Sequence, residues 1–182
     1  MTTTLQGLFD TLTTLRDDFN HAFSQPPAHN QQNARNLLAI NVAGDTYALH
    51  VNDIGGVHVD RQIVPLPSPL PALLGLAGFR GQIVPVYDLA ILLGYTPQPA
   101  ARWLVQVRST EAVALAFHRF DGHFSVTNDD IVPLPDDIAV ARRHVAGGIR
   151  DTTGIRAVIT LASVLQDIRQ RATQFHQLET AT

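Results

Sequence analysis

The spacing of apolar residues changes along the chain and divides it into stretches of different kinds. Near the start, Leu5, Leu8, Phe9, Leu12, Leu15, Phe19, Ala22 and Phe23 recur at threes and fours. That spacing is one face of an amphipathic helix over residues 1–25. Pro26 and Pro27 stop it, and the polar run "SQPPAHNQQNARN" makes residues 26–36 a linker. A helix of about 20 residues is marginal on its own. Two roles stay open for it: packing on the following domain, or docking on a partner or self-association through Leu8, Leu12, Leu15 and Phe19.

From residue 37 the period becomes two. Leu38, Ile40 and Val42 alternate, Gly44-Asp45 supplies a turn, and Tyr47, Leu49 and Val51 alternate back. This is a hairpin pattern. "GGVHVDRQIVPLP" continues as an extended piece, and "SPLPALLGL" predicts a helical turn with Ser68 as cap and Pro69 in the first position. From Trp103 the programme restarts. Trp103, Val105 and Val107 share one face, and Val113, Leu115 and Phe117 share a face of the next strand. "IVPLP" occurs at Ile63–Pro67 and again at Ile131–Pro135. "IVPVYDLAILLGY" from Ile83 aligns with "IRAVITLASVLQD" from Ile155.

The offsets grow along the chain: 66 from Leu38 to Leu104, 68 from Ile63 to Ile131, and 72 from Ile83 to Ile155. A duplicated unit with small loop insertions produces such a drift. The expected domain therefore spans 37–170, with one β-rich lobe over 37–98 and a second over 99–170 that carries a C-terminal helix. Residues 171–182 are expected as a tail. Asp88 and Thr160 are helix N-cap residue types at matching positions, and Gly94 suits the position just past a helix end. Pro85 cannot donate to a sheet ladder, so it belongs at an edge or a bulge.

Hydrophobic residues make up 45% of the chain and charged residues 16%, which calls for a packed core. A net charge of −3 argues against nucleic acid as the main partner. The absence of cysteine excludes disulfides, thiolate metal sites and cysteine nucleophiles. No signal-peptide pattern and no run near the ~18 apolar residues of a membrane span are visible. A soluble, cytoplasmic protein without direct membrane insertion is expected.

Little in the sequence nominates catalysis. "HRFDGHF" places His118, Asp121 and His123 together, but Asp-Gly is first a hairpin signal. Asp129-Asp130 and Asp136-Asp137 read as solvated loop ends. No phosphate loop or nucleophile elbow is present. No enzyme, metal or cofactor is expected. Arg80 differs, because Gly78 and Gly81 leave its guanidinium uncrowded on a turn. Such a group suits a partner carboxylate, and it also suits an ordinary surface ion pair.

The stretch "GLAGFRGQIVPVYDLAILLG" resembles the "G-x-x-N-L-R-G-x-I-V-P-V-x-D-L" signature of the CheW-like family, the coupling proteins of bacterial chemotaxis. "YALHVNDIGGV", "FSVTNDDIVPLP" and "AGGIRDTTGIRAVITLASVL" support it, so that the likeness covers Asn36 to Ile168. The resemblance implies a mainly β fold of two five-stranded SH3-like barrel subdomains with short helices. It implies a non-catalytic adaptor that couples the cytoplasmic tips of chemoreceptors to the regulatory domain of a CheA-type histidine kinase, at membrane-associated arrays. It also implies receptor contacts through Arg80, Val51, Asp53, Ile54 and Val57, and kinase contacts through apolar barrel ends.

Departures from the family pattern sharpen the expectation. Asp53 replaces the usual glutamate, Gly78-Phe79 replaces Asn-Leu, and Phe117-His118-Arg119-Phe120 replaces Val-Asp-x-Val. Phe79 and Phe120 become candidate apolar anchors. The N-terminal helix is similar in layout to extended adaptors of pilus-motility systems. A second reading is a regulatory module that binds a kinase without receptors, through that helix. A third is an enzyme centred on His118 and His123.

Overall fold

A computed structural model describes residues 34–97, 101–134, 143–151 and 154–180. The expected helix over 1–25, with Leu8, Leu12, Leu15 and Phe19, lies outside them. The elements in chain order are β1 (Arg35–Val42), β2 (Asp45–His50), β3 (Ile54–Val59), β4 (Leu73–Phe79), β5 (Gln82–Asp88), α1 (Leu89–Leu92), β6 (Trp103–Val107), β7 (Val113–Phe117), β8 (Arg119–Val126), β9 (Ile131–Val132), β10 (Val145–Asp151), β11 (Gly154–Ile159) and α2 (Leu161–Thr180). Short 3₁₀ turns at Val51–Asp53 and Asn128–Asp130 precede β3 and β9. The fold is mainly β, as expected.

The strands form two sheets, in the orders β8-β1-β2-β11-β10-β9 and β3-β6-β7-β5-β4. This corrects the expected division at 98/99. Each sheet takes two strands from one repeat and the rest from the other. The duplication itself is plain in the register. β5 runs parallel to β7 with Val86 opposite Ala114, and β11 runs parallel to β2 with Val158 opposite Ala48. Both β4 and β10 carry a bulge at matching positions, Leu73/Gly75 and Val145/Gly147. The Val64–Leu76 bridge is the counterpart of β9, whose Val132 pairs with Gly148. One offset is corrected. Ala39 and Gln106 stand opposite Ala48 and Ala114, so the structural counterpart of Leu104 is Leu37, not Leu38. A one-residue slip moves a side chain to the other face of its sheet. Apolar pattern alone could not resolve it, because six consecutive residues of β1 are buried.

Three apolar clusters explain that double burial. Leu37, Ala48, Val126, Ile149 and Val158 fill one side of the first sheet. Ala77, Phe79, Val84, Val86, Leu104, Ala114 and Ala116 fill the corresponding side of the second. Between the sheets lies a larger cluster that includes Ile40, Tyr47, Leu49, Val105, Leu115 and Phe117, with Leu89, Leu161, Val164 and Leu165 from the helices. Full burial of each large side chain is worth about 1.5–3 kcal/mol.

Several local expectations sharpen. The β1–β2 turn is Ala43-Gly44, not Gly44-Asp45: φ is 53° and 96°, and Asn41 exchanges two hydrogen bonds with Gly44 at 2.9 and 3.1 Å. These positive angles are the twist a two-residue hairpin needs. "SPLPALLGL" forms a single turn and no helix: Ser68 Oγ accepts from the Leu70 N–H at 3.1 Å, Leu70 O accepts from the Leu73 N–H at 3.0 Å, and Leu73 begins β4. Asp121-Gly122 is no hairpin turn either, and lies inside β8 beside a bulge.

Asp88 does cap α1, accepting from the N–H groups of Ala90 and Ile91 at 2.8 and 3.4 Å. Gly94, with φ 94°, ends it: its N–H donates to Ile91 O and that of Tyr95 to Ala90 O. Pro85 pairs only with Leu76, because β7 joins β5 from Val86 onward. Its missing N–H therefore falls where the strand has one neighbour. α2 continues to Thr180, through most of the stretch expected as a tail.

Candidate functional site

β4 and β5 are joined by a two-residue turn, with Phe79 opposite Gln82. Arg80 and Gly81 both take positive φ, 48° and 83°, and both are exposed. Below them Phe79 is 1% exposed and fills the second sheet's inner cluster. Phe79 is thus a plug under the turn and not the expected surface anchor. Its ring meets that of His58 on β3 at 4.7 Å, tilted by 60°. Burial, and then the charges of Arg61 and Arg80, hold the His58 pKa below its ordinary value.

Beside the turn, the register places Val64, Leu76 and Pro85 in one row and Gly78 with Ile83 in the next. This outer face is apolar: Ile83 is 74% exposed and Val64 is also exposed, as is Leu66 two residues further along the chain. Sequence reasoning did not select these three. A signal existed, because Val84 and Val86 alternate inward and so turn Ile83 outward. Ile155, its counterpart in the other repeat, is likewise exposed.

The remaining expected residues separate. Asp53 is exposed, at the opposite end of β3 from His58. Five residues of strand put it on the order of 16 Å away along β3. Its carbonyl accepts from the Arg108 N–H at 2.8 Å, and it borders a cavity of about 310 Å³ with Arg108, Ser109, Thr160 and Arg169. Val51 and Val57 are half-buried. Ile54 is 7% exposed and belongs to the cluster between the sheets, so it cannot be a surface contact. Phe120 is half-buried, with its ring 5.4 Å from Trp103, and packs onto the same cluster. Asp121 pairs with Arg119 at 2.6 Å and lies 3.7 Å from Arg156. Its carboxylate therefore faces arginines. No helix among the described residues is long and apolar enough to cross a membrane.

The motif around Arg80 sits on the tip of the hairpin at the edge of the second sheet, and the family model for the CheW-like domain matches residues 36–169. The chain belongs to the CheW-like family. It is 27% identical over 122 residues to a probable chemotaxis protein CheW of Rhizobium etli, a match covering 65% of this chain and 78% of that one. It is 23% identical over 124 residues to chemotaxis protein CheW of Rhizobium meliloti, covering 66% and 80%. It is 27% identical over 115 residues to protein FrzA of Myxococcus xanthus, covering 60% and 72%. The crystal structure of the scaffolding protein TtCheW from Thermoanaerobacter tengcongensis shares the fold. Its TM-score is 0.62 at 19% identity, over 69% of this chain and 88% of that one. This CheW-like chain therefore stands with the scaffold and adaptor proteins of chemotaxis, a family generally without catalysis.

Proposed function

We propose that this CheW-like protein couples chemoreceptors to a CheA-type histidine kinase in a membrane-associated cytoplasmic array, and that Arg80 is its principal receptor contact. One observation carries the reading. Arg80 is lifted into solvent on a positive-φ turn whose base, Phe79, is anchored in the core. The turn fixes where the Arg80 backbone stands, and its guanidinium presents a planar fork of donors to solvent, which suits a carboxylate on a partner. Val57 on β3, and the half-buried Val51 and the exposed Asp53 in the 3₁₀ turn before it, extend the contact. The apolar face that carries Val64 and Ile83 offers the kinase a separate surface. Interfaces of this kind are modest, about 1,000 Å² or less each, and gain strength by repetition in an array.

Arg80→Glu reverses the charge on an exposed turn and leaves the core untouched. Receptor co-sedimentation is expected to fall at least tenfold, with an unchanged melting temperature. Undiminished assembly with receptor and kinase would sink the assignment.

A further inference from the structure

His58 Nε2 is buried and has no hydrogen-bond partner among the described residues. The ring lies back over Gly56, where a Cβ would be 3.1 Å from Nε2, and against Phe79. The other repeat shows what packing alone requires at this position. His58 stands opposite Leu104 in the β3–β6 pair, and Phe124 stands opposite Leu37, the counterpart of Leu104, in the β8–β1 pair. Phenylalanine thus serves where this subdomain carries an imidazole with an unsatisfied nitrogen. Such a nitrogen costs desolvation that a phenyl ring would not. The imidazole also sits next to the one turn that presents Arg80.

We infer that His58 is a proton-linked element of the Arg80 surface: docking of an acidic receptor segment on Arg80 and Arg61 draws a proton onto the imidazole and so tightens as pH falls. The inference rests on the Arg80 contact proposed above. In the free protein the charges acting on His58 are Arg61 on its own segment and Arg80 on the β4–β5 turn, while the Asp60–Arg102 pair joins the end of β3 to the start of β6. Arg102 already holds Asp60 through two hydrogen bonds, at 2.8 and 2.6 Å. The two remaining guanidiniums oppose a third positive charge. A partner carboxylate laid across them cancels their field and adds an opposite charge, so the proton affinity of His58 is higher in the complex than in the free protein. A group with the higher pKa in the bound state takes up a proton on binding. Affinity then rises as pH drops through the window around and below the ordinary histidine value of about 6.5.

The test uses the full chain and a purified chemoreceptor signalling-tip fragment, with Kd measured from pH 7.5 to 5.5. If docking raises the His58 pKa, affinity rises as pH falls, and each unit of increase adds a gain that approaches about tenfold once pH lies below the pKa of the free protein. Calorimetry in two buffers of different ionisation enthalpy should then show proton uptake. His58→Phe should fold and lose both the gain and the uptake; His58→Gln, which keeps polarity without titrating, should do the same. If wild type and both variants share one pH slope while Arg80→Glu abolishes binding, His58 is not the linked group and the Arg80 contact stands. If Arg80→Glu binds like wild type, the contact fails and the linkage falls with it.

Discussion

A methyl group added at Gly75 would lie 2.1 Å from the carbonyl oxygen of Val64, and φ there is 143°. Both facts come from the Val64–Leu76 bridge, which presses the segment before β4 onto its backbone. The counterpart, Gly147, has negligible constraint, since its added Cβ would be 3.7 Å from Val132 O. Gly75→Ala should therefore destabilise the protein by about 2–5 kcal/mol, through overpacking and backbone strain together. Gly147→Ala should stay within about 1 kcal/mol. Denaturant titration of the pair distinguishes them, and equal losses would contradict the packing described. The two glycines look alike in sequence, and only the neighbouring chain separates them. Arg80 is the opposite case. Its flanking glycines and signature were legible, whereas the burial of Phe79 beneath it was not.

α2 shows how an element can outrun its pattern. Leu161, Val164, Leu165 and Ile168 make the buried face, and its apolar spacing was readable. No glycine or proline interrupts the chain from Leu161 to Thr180, so nothing stops the helix as Gly94 stops α1. The start of α2 is tied to the segment before β10. His144 Nδ1 lies 2.8 Å from Ser163 Oγ, and its Nε2 lies 3.2 Å from Asp167 Oδ2. Arg171 also pairs with Asp167, at 2.7 Å. Burial pushes the Asp167 pKa up, but the Arg171 hydrogen bond and charge, with those of His144, outweigh it and hold the carboxyl below its ordinary value. A depressed folded-state pKa contributes stability above the unfolded value of about 3.8–3.9, lost as pH falls through the folded value. Melting temperature should thus decline more steeply below about pH 4 in wild type than in Asp167→Asn. Identical acid profiles would show that the network adds nothing.

For the whole molecule, strand exchange has a direct consequence. Residues 34–97 contain β1 and β2 of one sheet and β3, β4 and β5 of the other, while 101–180 hold the complements. Either half alone leaves strand edges unpaired and strips one wall from the cluster between the sheets. Neither half is expected to unfold cooperatively by itself, and co-expression should restore one complex with native-like circular dichroism. An independently folded half would refute this view of the fold. The contiguous lobes expected from the offsets would have predicted such a half.

Local pattern was enough for the strand-rich character, the duplication, the cap at Asp88, the stop at Gly94 and the motif that marks the family. These depend on residues close in sequence, or on a repeat that survives in order. Strand partners, the one-residue register between repeats, and the fates of Ile54, Phe79 and Phe120 depend on residues far apart in the chain. When both faces of a strand are buried, alternation carries no information about which face is which. The packing of one repeat's strands into the other repeat's sheet decides it, and that packing also leaves Arg80 in solvent and sets His58 beside it.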